Sequence, residues 1–256
     1  DGLTDGMYGI HMGVTADNIA KKYSISREDQ DAFAYASQQK AIAAIDSGRF
    51  QDEIVPVEVP GRKGSVTVFD TDEHPNRAST PEKLAKLRPA FTKDGTVPAG
   101  NASGINDGAS LTIIASEDAV KKHKLTPLAE VSGIGQGGVD PRVMGLGPTP
   151  AILHALKYAD LCIEDMELVE LNEAFAAQSL GVIHELEEAT GMDRNAFMEK
   201  TNVNGGAIAL GHPVGASGNR ILVSLLHEMQ KRDLKIGLAS LCIGGGQGAA
   251  VIIKRV

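Results

Sequence analysis

Residues 217–253 read SGNRILVSLLHEMQKRDLKIGLASLCIGGGQGAAVII, and this stretch decides the fold. Its first part, Ser217–Lys231, puts Ile221, Leu222, Leu225, Leu226 and Met229 on one face at helical spacing, the stripe of a helix laid on a core. Its second part holds two short apolar runs, Ile236–Leu241 and Ala249–Ile253, of the length and composition of buried strands. Between them Cys242-Ile-Gly-Gly-Gly-Gln-Gly248 reads as a glycine-rich hairpin connection. A helix feeding a buried strand pair belongs to a layered α/β domain.

The same alternation extends back to about Ala109. Leu111–Ala115, Leu128–Ile134 and Leu168–Leu171 are expected strands, and Glu117–His123, Thr149–Tyr158 and Glu173–Glu188 expected helices. The first hundred residues differ in character. Ser26-Arg-Glu-Asp29 resembles a capping box, with Asp29 in place of Glu or Gln, and opens an alanine-rich helix that stops near Ser47-Gly48. Ile54–Val59, with Pro56 inside it, suits an edge strand. Gly61–Gly64 is a basic turn before a second short strand, Val66–Phe69, and Thr80-Pro81-Glu82 starts another helix.

Composition narrows the function. With 25 Lys+Arg against 33 Asp+Glu the net charge is −8, which repels phosphate polymers and argues against nucleic acid as a partner. No apolar run approaches the roughly 20 residues a bilayer requires, so no membrane partner is expected. The two cysteines, Cys162 and Cys242, stand eighty residues apart without a CxxC or a histidine cluster. That spacing gives neither a zinc site nor a disulfide framework and points to a reducing compartment. The chain opens on Asp1 without Met, in a turn-rich stretch, and is expected to be a piece of a longer protein. The cytoplasm is the expected compartment, with a mitochondrial address left open by the hidden start.

Five motifs carry chemistry. In Asn204-Gly-Gly-Ala-Ile-Ala-Leu-Gly-His-Pro-Val-Gly-Ala-Ser-Gly218, His212 sits in a glycine-rich loop just before a helix. Such a histidine can bind an oxyanion or take a proton from a thiol, or it can be a structural residue satisfied by carbonyls. Cys242 faces small residues, and the N–H groups of Gly244 to Gly246 could form an oxyanion hole; the plainer alternative is a buried inert thiol. Cys162, in Ala159-Asp-Leu-Cys-Ile-Glu164, carries only that plainer reading. Asn172 of Asn172-Glu-Ala-Phe-Ala176 lies at a strand-to-helix switch, where its amide could cap the helix or hold a water. Gly100-Asn-Ala-Ser-Gly-Ile-Asn-Asp-Gly-Ala109 is a loop of small residues against which a thin ligand can lie. In Tyr8-Gly-Ile-His-Met-Gly13, His11 and Met12 are equally consistent with packing.

Taken in order, these five stretches resemble the thiolase family, in detail its biosynthetic, acetyl-CoA C-acetyltransferase type. NEAFA, GHPxGASG and CxGGGxG in series are very specific, and the likeness runs from Asp1 to Val256. It implies two similar layered α-β-α halves with a loop domain inserted in the first. Residues 1–105 resemble the CoA-binding loop domain, 106–127 the end of the N-terminal half, and 128–256 the complete C-terminal half. The implied activity is reversible Claisen condensation of two acetyl-CoA to acetoacetyl-CoA and CoA. In the family the acylated cysteine lies in the first half, in a context that neither cysteine here matches, so the chain alone is expected to be inactive.

Residue by residue, the resemblance makes His212 the group that activates the nucleophile, and Cys242 the acid/base thiol at the acetyl α-carbon. Asn172 becomes the holder of an oxyanion-hole water and Gly244 a backbone donor of the second hole. His11, Met12, Phe91, Ala102, Ser103, Met144, Ala174 and Phe175 resemble the lining of the CoA tunnel, and Arg77 a partner of CoA phosphate, although Asn76–Thr80 departs from the usual pattern. Between Ile183 and Asn202 the chain is longer than the compact pattern, which reads as a surface insertion. CoA thioesters are substrates, and no cofactor or metal is expected. The resemblance implies a homotetramer or homodimer and a place in fatty-acid metabolism. A degradative 3-ketoacyl-CoA thiolase and a non-catalytic CoA-binding module are the alternatives. Condensing enzymes of fatty-acid or polyketide synthesis have a second histidine where Cys242 stands.

Overall fold

Local capping fixes the first helices. The computed structural model describes residues 2–256. Helix α1 (Met12–Lys22) begins where the His11 ring accepts the Gly13 N–H at 3.0 Å. Helix α2 (Arg27–Asp46) starts at Ser26, whose hydroxyl accepts from the Asp29 N–H, and ends at Ser47, as its sequence predicts. A turn through Phe50 then takes up Ile54, whose N–H donates to the Phe50 carbonyl. The expected strand from Ile54 therefore starts later, as β1 (Val57–Pro60), paired antiparallel with β2 (Val66–Phe69) in an exposed ribbon. Helix α3 (Pro81–Ala85) is capped by Thr80.

The expected strand Leu111–Ala115 does not form. Among the described residues no strand lies beside it, and a lone strand leaves its backbone groups unpaired. Leu111, Ile113 and Ile114 are 87%, 86% and 84% exposed. Helix α4 (Glu117–His123) follows at its expected bounds.

The rest of the chain is one mixed sheet between helices. Its elements run β3 (Ala129–Gly138), α5 (Pro148–Ala159), β4 (Leu168–Leu171), α6 (Ala176–Thr190), α7 (Arg194–Glu199), α8 (Ala207–Leu210), α9 (Ser217–Arg232), β5 (Ile236–Ile243) and β6 (Gln247–Arg255). The strand order is β3-β6-β5-β4, with β6 antiparallel to both neighbours and β4 parallel to β5. Strand alternation sends Val169, Leu171, Leu238 and Ile252 to one face, under Ile152, Leu156, Ile183 and Leu186 of α5 and α6. It sends Leu168, Ala239 and Ile253 to the other, under Ile221, Leu225 and Met229 of α9. These are the layers the sequence implies. The β5–β6 turn runs through Gly244–Gly246, where φ of +81° and +85° at Gly245 and Gly246 calls for glycine. Cys242, paired with Gly248, lies inside β5 rather than beyond its end. The segment between Ile183 and Asn202 includes α7, and its Met192 and Phe197 are buried, so it packs into the core rather than lying wholly at the surface.

Glu170 shares the face of Leu168 and is 3% exposed. Burial pushes its carboxyl up to about 8, against the pull of the Arg220 charge. Between its ordinary value of 4.5 and about 8 the folded chain holds a proton that the unfolded chain has released, so stability falls as pH rises through that window. Glu170→Gln is expected to flatten the loss of thermal midpoint between about pH 5 and about pH 8, as read by circular dichroism. An unchanged slope would place the burden elsewhere.

Candidate active site

Strand β4 delivers Asn172. The Leu171 N–H donates to Asn202 Oδ1 at 2.8 Å and the Leu171 carbonyl accepts from Asn202 Nδ2 at 2.7 Å, so one side chain does the work of a neighbouring strand. On the other side the Asn172 N–H donates to the Ser240 carbonyl at 2.9 Å. The chain stays extended through Phe175, which bridges Ala102, while the Ser103 N–H donates to the Ala174 carbonyl at 3.0 Å. Helix α6 accordingly starts at Ala176 rather than at the expected Glu173, and its cap position is Phe175, not Asn172.

The glycine-rich loop delivers His212. Its N–H donates to Asn106 Oδ1 at 3.1 Å, and its Nδ1 lies 2.6 Å from Ser217 Oγ. The Ser217 hydroxyl donates to the Pro213 carbonyl at 3.0 Å, so Ser217 Oγ accepts from His212. The network thus assigns the ring proton to Nδ1 and leaves a lone pair on Nε2. Asn172 Nδ2 faces that lone pair at 3.4 Å, and Asn172 Oδ1, buried without a partner, is an acceptor that a bound water could use. Burial, then the Arg220 charge, lower the His212 pKa, which keeps the ring neutral near pH 7.

Cys242 approaches the same segment from β5. It packs with Met12, Ala102, Met144, Ala174 and Phe175, and burial pushes its thiol up to about 12. Asn172 touches His212, while Ala174 and Phe175 belong to the cluster that holds Cys242, so residues 172–175 link the two. Gly244 is exposed at the first position of the hairpin turn. Cys162 lies apart on the surface, its thiol donating to Asp165.

A cleft of about 1090 Å³ shares Phe91 and Ala102 with this cluster, and His212, Cys242 and Asn172 are not among the residues that line it. Phe91, Ala102 and Ser103 line it, with Arg77 at its wall. His11 stacks on Phe91 at 5.0 Å between ring centroids, and Phe91 meets Phe175 edge-on at 5.8 Å. Gly13 permits the stack, because a Cβ there would lie 2.1 Å from the Phe91 ring. Arg77 is engaged by Asp46 through two hydrogen bonds at the exposed rim, so a phosphate would have to share or displace that carboxylate.

Sequence reasoning missed Asn106, Ser217, Ser37 and Asn202. The first two lie inside the quoted loops, and the spacing from His212 to Ser217, just over one helical turn, is a signal. Ser37 and Asn202 come from distant elements and left none.

A neutral imidazole against the Asn172 amide and a buried thiol packed near Ala174 and Phe175 are thus held by one short segment, residues 172–175. The profile described as "Thiolase, N-terminal domain" matches residues 1–118, and "Thiolase, C-terminal domain" matches residues 125–255. The chain belongs to the thiolase family. It is 59% identical over its whole length to an acetyl-CoA acetyltransferase of Thiocystis violacea and 57% identical to one of Escherichia coli K12, covering 63% of each. The crystal structure of the Bacillus anthracis acetyl-CoA acetyltransferase superposes with a TM-score of 0.92 at 49% identity, covering 99% of this chain and 62% of that one. The human mitochondrial 3-ketoacyl-CoA thiolase in complex with CoA gives 0.87 at 50% identity, covering 99% and 61%. The chain thus spans about 63% of the length of the curated relatives it matches.

Proposed function

We propose that this chain is the C-terminal catalytic half and loop domain of an acetyl-CoA C-acetyltransferase. In the complete protein an upstream cysteine carries the acyl group. His212 Nε2 takes that thiol's proton, which requires the lone pair its Ser217 contact leaves there. Asn172 holds an oxyanion-hole water through the acceptor it keeps unpaired. Cys242 takes the α-proton of the second acetyl-CoA and returns it in the thiolytic direction, and Gly244 donates to the enolate oxygen. The carbanion attacks the acyl-cysteine carbonyl, and the cysteine leaves as thiolate.

His11, Met12, Phe91, Ala102, Ser103, Met144, Ala174 and Phe175 line the pantetheine path, with Arg77 near the phosphates. Residues 1–105 are the loop domain, 106–127 the end of the first half, and 128–256 the second half. Thiols, imidazole and amides carry every step, so no prosthetic group is called for. The complete protein is a cytoplasmic homodimer or homotetramer of fatty-acid metabolism; no described helix is long and apolar enough to cross a membrane. The bare side chains of Leu111, Ile113 and Ile114 suit burial against the remaining part of the protein.

The observation that carries this reading is the meeting of His212 and the Cys242 cluster on residues 172–175. The test is CoA-dependent cleavage of acetoacetyl-CoA by the complete protein and by this chain. Turnover by the first only, falling off with longer 3-ketoacyl-CoA substrates, is expected. A preference for long chains would favour the degradative type, and CoA binding without turnover would sink the enzymatic reading.

A further inference from the structure

Beside Asn172 stands Glu173, 2% exposed, for which acyl transfer itself has no use. Its Oε2 accepts from the Ser37 hydroxyl at 2.6 Å and from the Ile208 N–H at 3.3 Å, and its Oε1 accepts from Asn202 Nδ2 at 2.8 Å. Ser37 Oγ in turn accepts the Gly206 N–H at 3.0 Å. One carboxylate thus ties together three parts of the chain: α2, the turn after α7, and α8, which runs directly into Gly211 and His212. We propose that Glu173 is a positioning residue that sets the approach of Asn172 to the His212 ring, a claim that rests on the acyl-transfer role given above.

The surroundings specify an acceptor-only group. Asn202 cannot turn its amide, because its Oδ1 and Nδ2 are both held by Leu171, so it presents N–H to Glu173. Ser37 has accepted from Gly206 and therefore presents its O–H. Ile208 presents a backbone N–H. Burial raises the Glu173 carboxyl pKa, while the hydrogen bonds from Ser37, Asn202 and Ile208, and then the charge of Lys40 in the adjoining cleft, act the other way and favour the ionised form. A glutamine in this place meets donors on both sides and must set its own N–H₂ against one of them. The nearness is tight as well: a Cβ on Gly206 would lie 2.3 Å from the Glu173 carboxyl carbon, so the loop toward His212 rests on the carboxylate itself. Losing a donor contact here moves Ile208 against Leu171, and with them the 3.4 Å contact between Asn172 Nδ2 and His212 Nε2.

The test uses Glu173→Gln, with Ser37→Ala as a milder second variant, in the complete protein. Glu173→Gln is expected to lower kcat for acetoacetyl-CoA cleavage at least about tenfold with KM little changed, because misplacement is felt in the reacting geometry. Combined with Asn172→Ala it is expected to add little, since both act through one amide. In parallel, ¹⁵N spectra of the complete protein are expected to show the His212 ring nitrogens shifted in Glu173→Gln. Additive losses, or an unshifted His212 ring in a folded variant, overturn the proposal. If the wild-type complete protein fails to cleave acetoacetyl-CoA, the acyl-transfer role has failed, and the His212 spectra alone decide whether Glu173 positions the pair.

Discussion

Cys242→Ala in the complete protein is expected to lower the kcat of acetoacetyl-CoA cleavage by about 100- to 10,000-fold, the ordinary worth of a positioned acid/base group. In barrier height that is about 3–5 kcal/mol. The packing loss is much smaller: one sulfur atom removed from the cluster around Phe175 and Met144 costs about 1 kcal/mol of stability, so the variant folds. Burial pushes the thiol up to about 12, so before reaction Cys242 is neutral, the state that its proposed role as proton donor to the departing carbanion in the thiolytic direction requires. In the synthetic direction the same burial makes its thiolate, once formed, a strong base against a weak carbon acid. In the synthetic direction acylation of the upstream cysteine by acetyl-CoA precedes the Cys242 step and is expected to survive. With acetyl-CoA as the acyl donor, a burst of one acyl group per protomer followed by negligible condensation is the signature to look for in rapid-quench kinetics. Normal steady-state turnover by folded Cys242→Ala would remove the thiol from the mechanism.

Much of this was legible in the residues. The stripe Ile221, Leu225 and Met229 and the two runs around Cys242 predict the α9–β5–β6 unit, because burial on one helix face and on both sheet faces leaves a periodic mark. Ser26 and Thr80 predict two helix starts, since their side chains do the capping themselves. Two failures have one cause. Leu111–Ala115 has strand composition, but a strand exists only with a partner, and none lies beside it among the described residues. Glu173–Phe175 reads as helix from its composition, yet Ala102 and Ser103 hold it extended from seventy residues away. The candidate site was legible as residue types, since His212, Cys242 and Asn172 stand in distinctive glycine-rich or small-residue settings. Its wiring was not: Asn106, Ser37 and Asn202 are common polar residues whose role comes from long-range closure.

His212→Ala carries the second large effect, expected to match that of Cys242→Ala in steady-state rate while differing in where it strikes. Removing the ring takes away the Nε2 lone pair that accepts the thiol's proton in the proposed mechanism, so acylation itself is expected to slow by about 100- to 10,000-fold and the burst to disappear. Ser217 then keeps its bond to Pro213 and merely loses a donor, and Asn172 loses one contact, so the loop is expected to stay folded. The pH dependence separates the histidine further. Burial and Arg220 hold the His212 pKa below its ordinary 6.5, so the unprotonated base is present through neutrality and is lost only as pH falls below that value. The acid limb of kcat/KM in the wild-type protein is therefore expected below about 6.5, and to move upward in Arg220→Gln as the neighbouring positive charge is withdrawn. An acid limb unmoved by that change would mean that some other group accepts the proton.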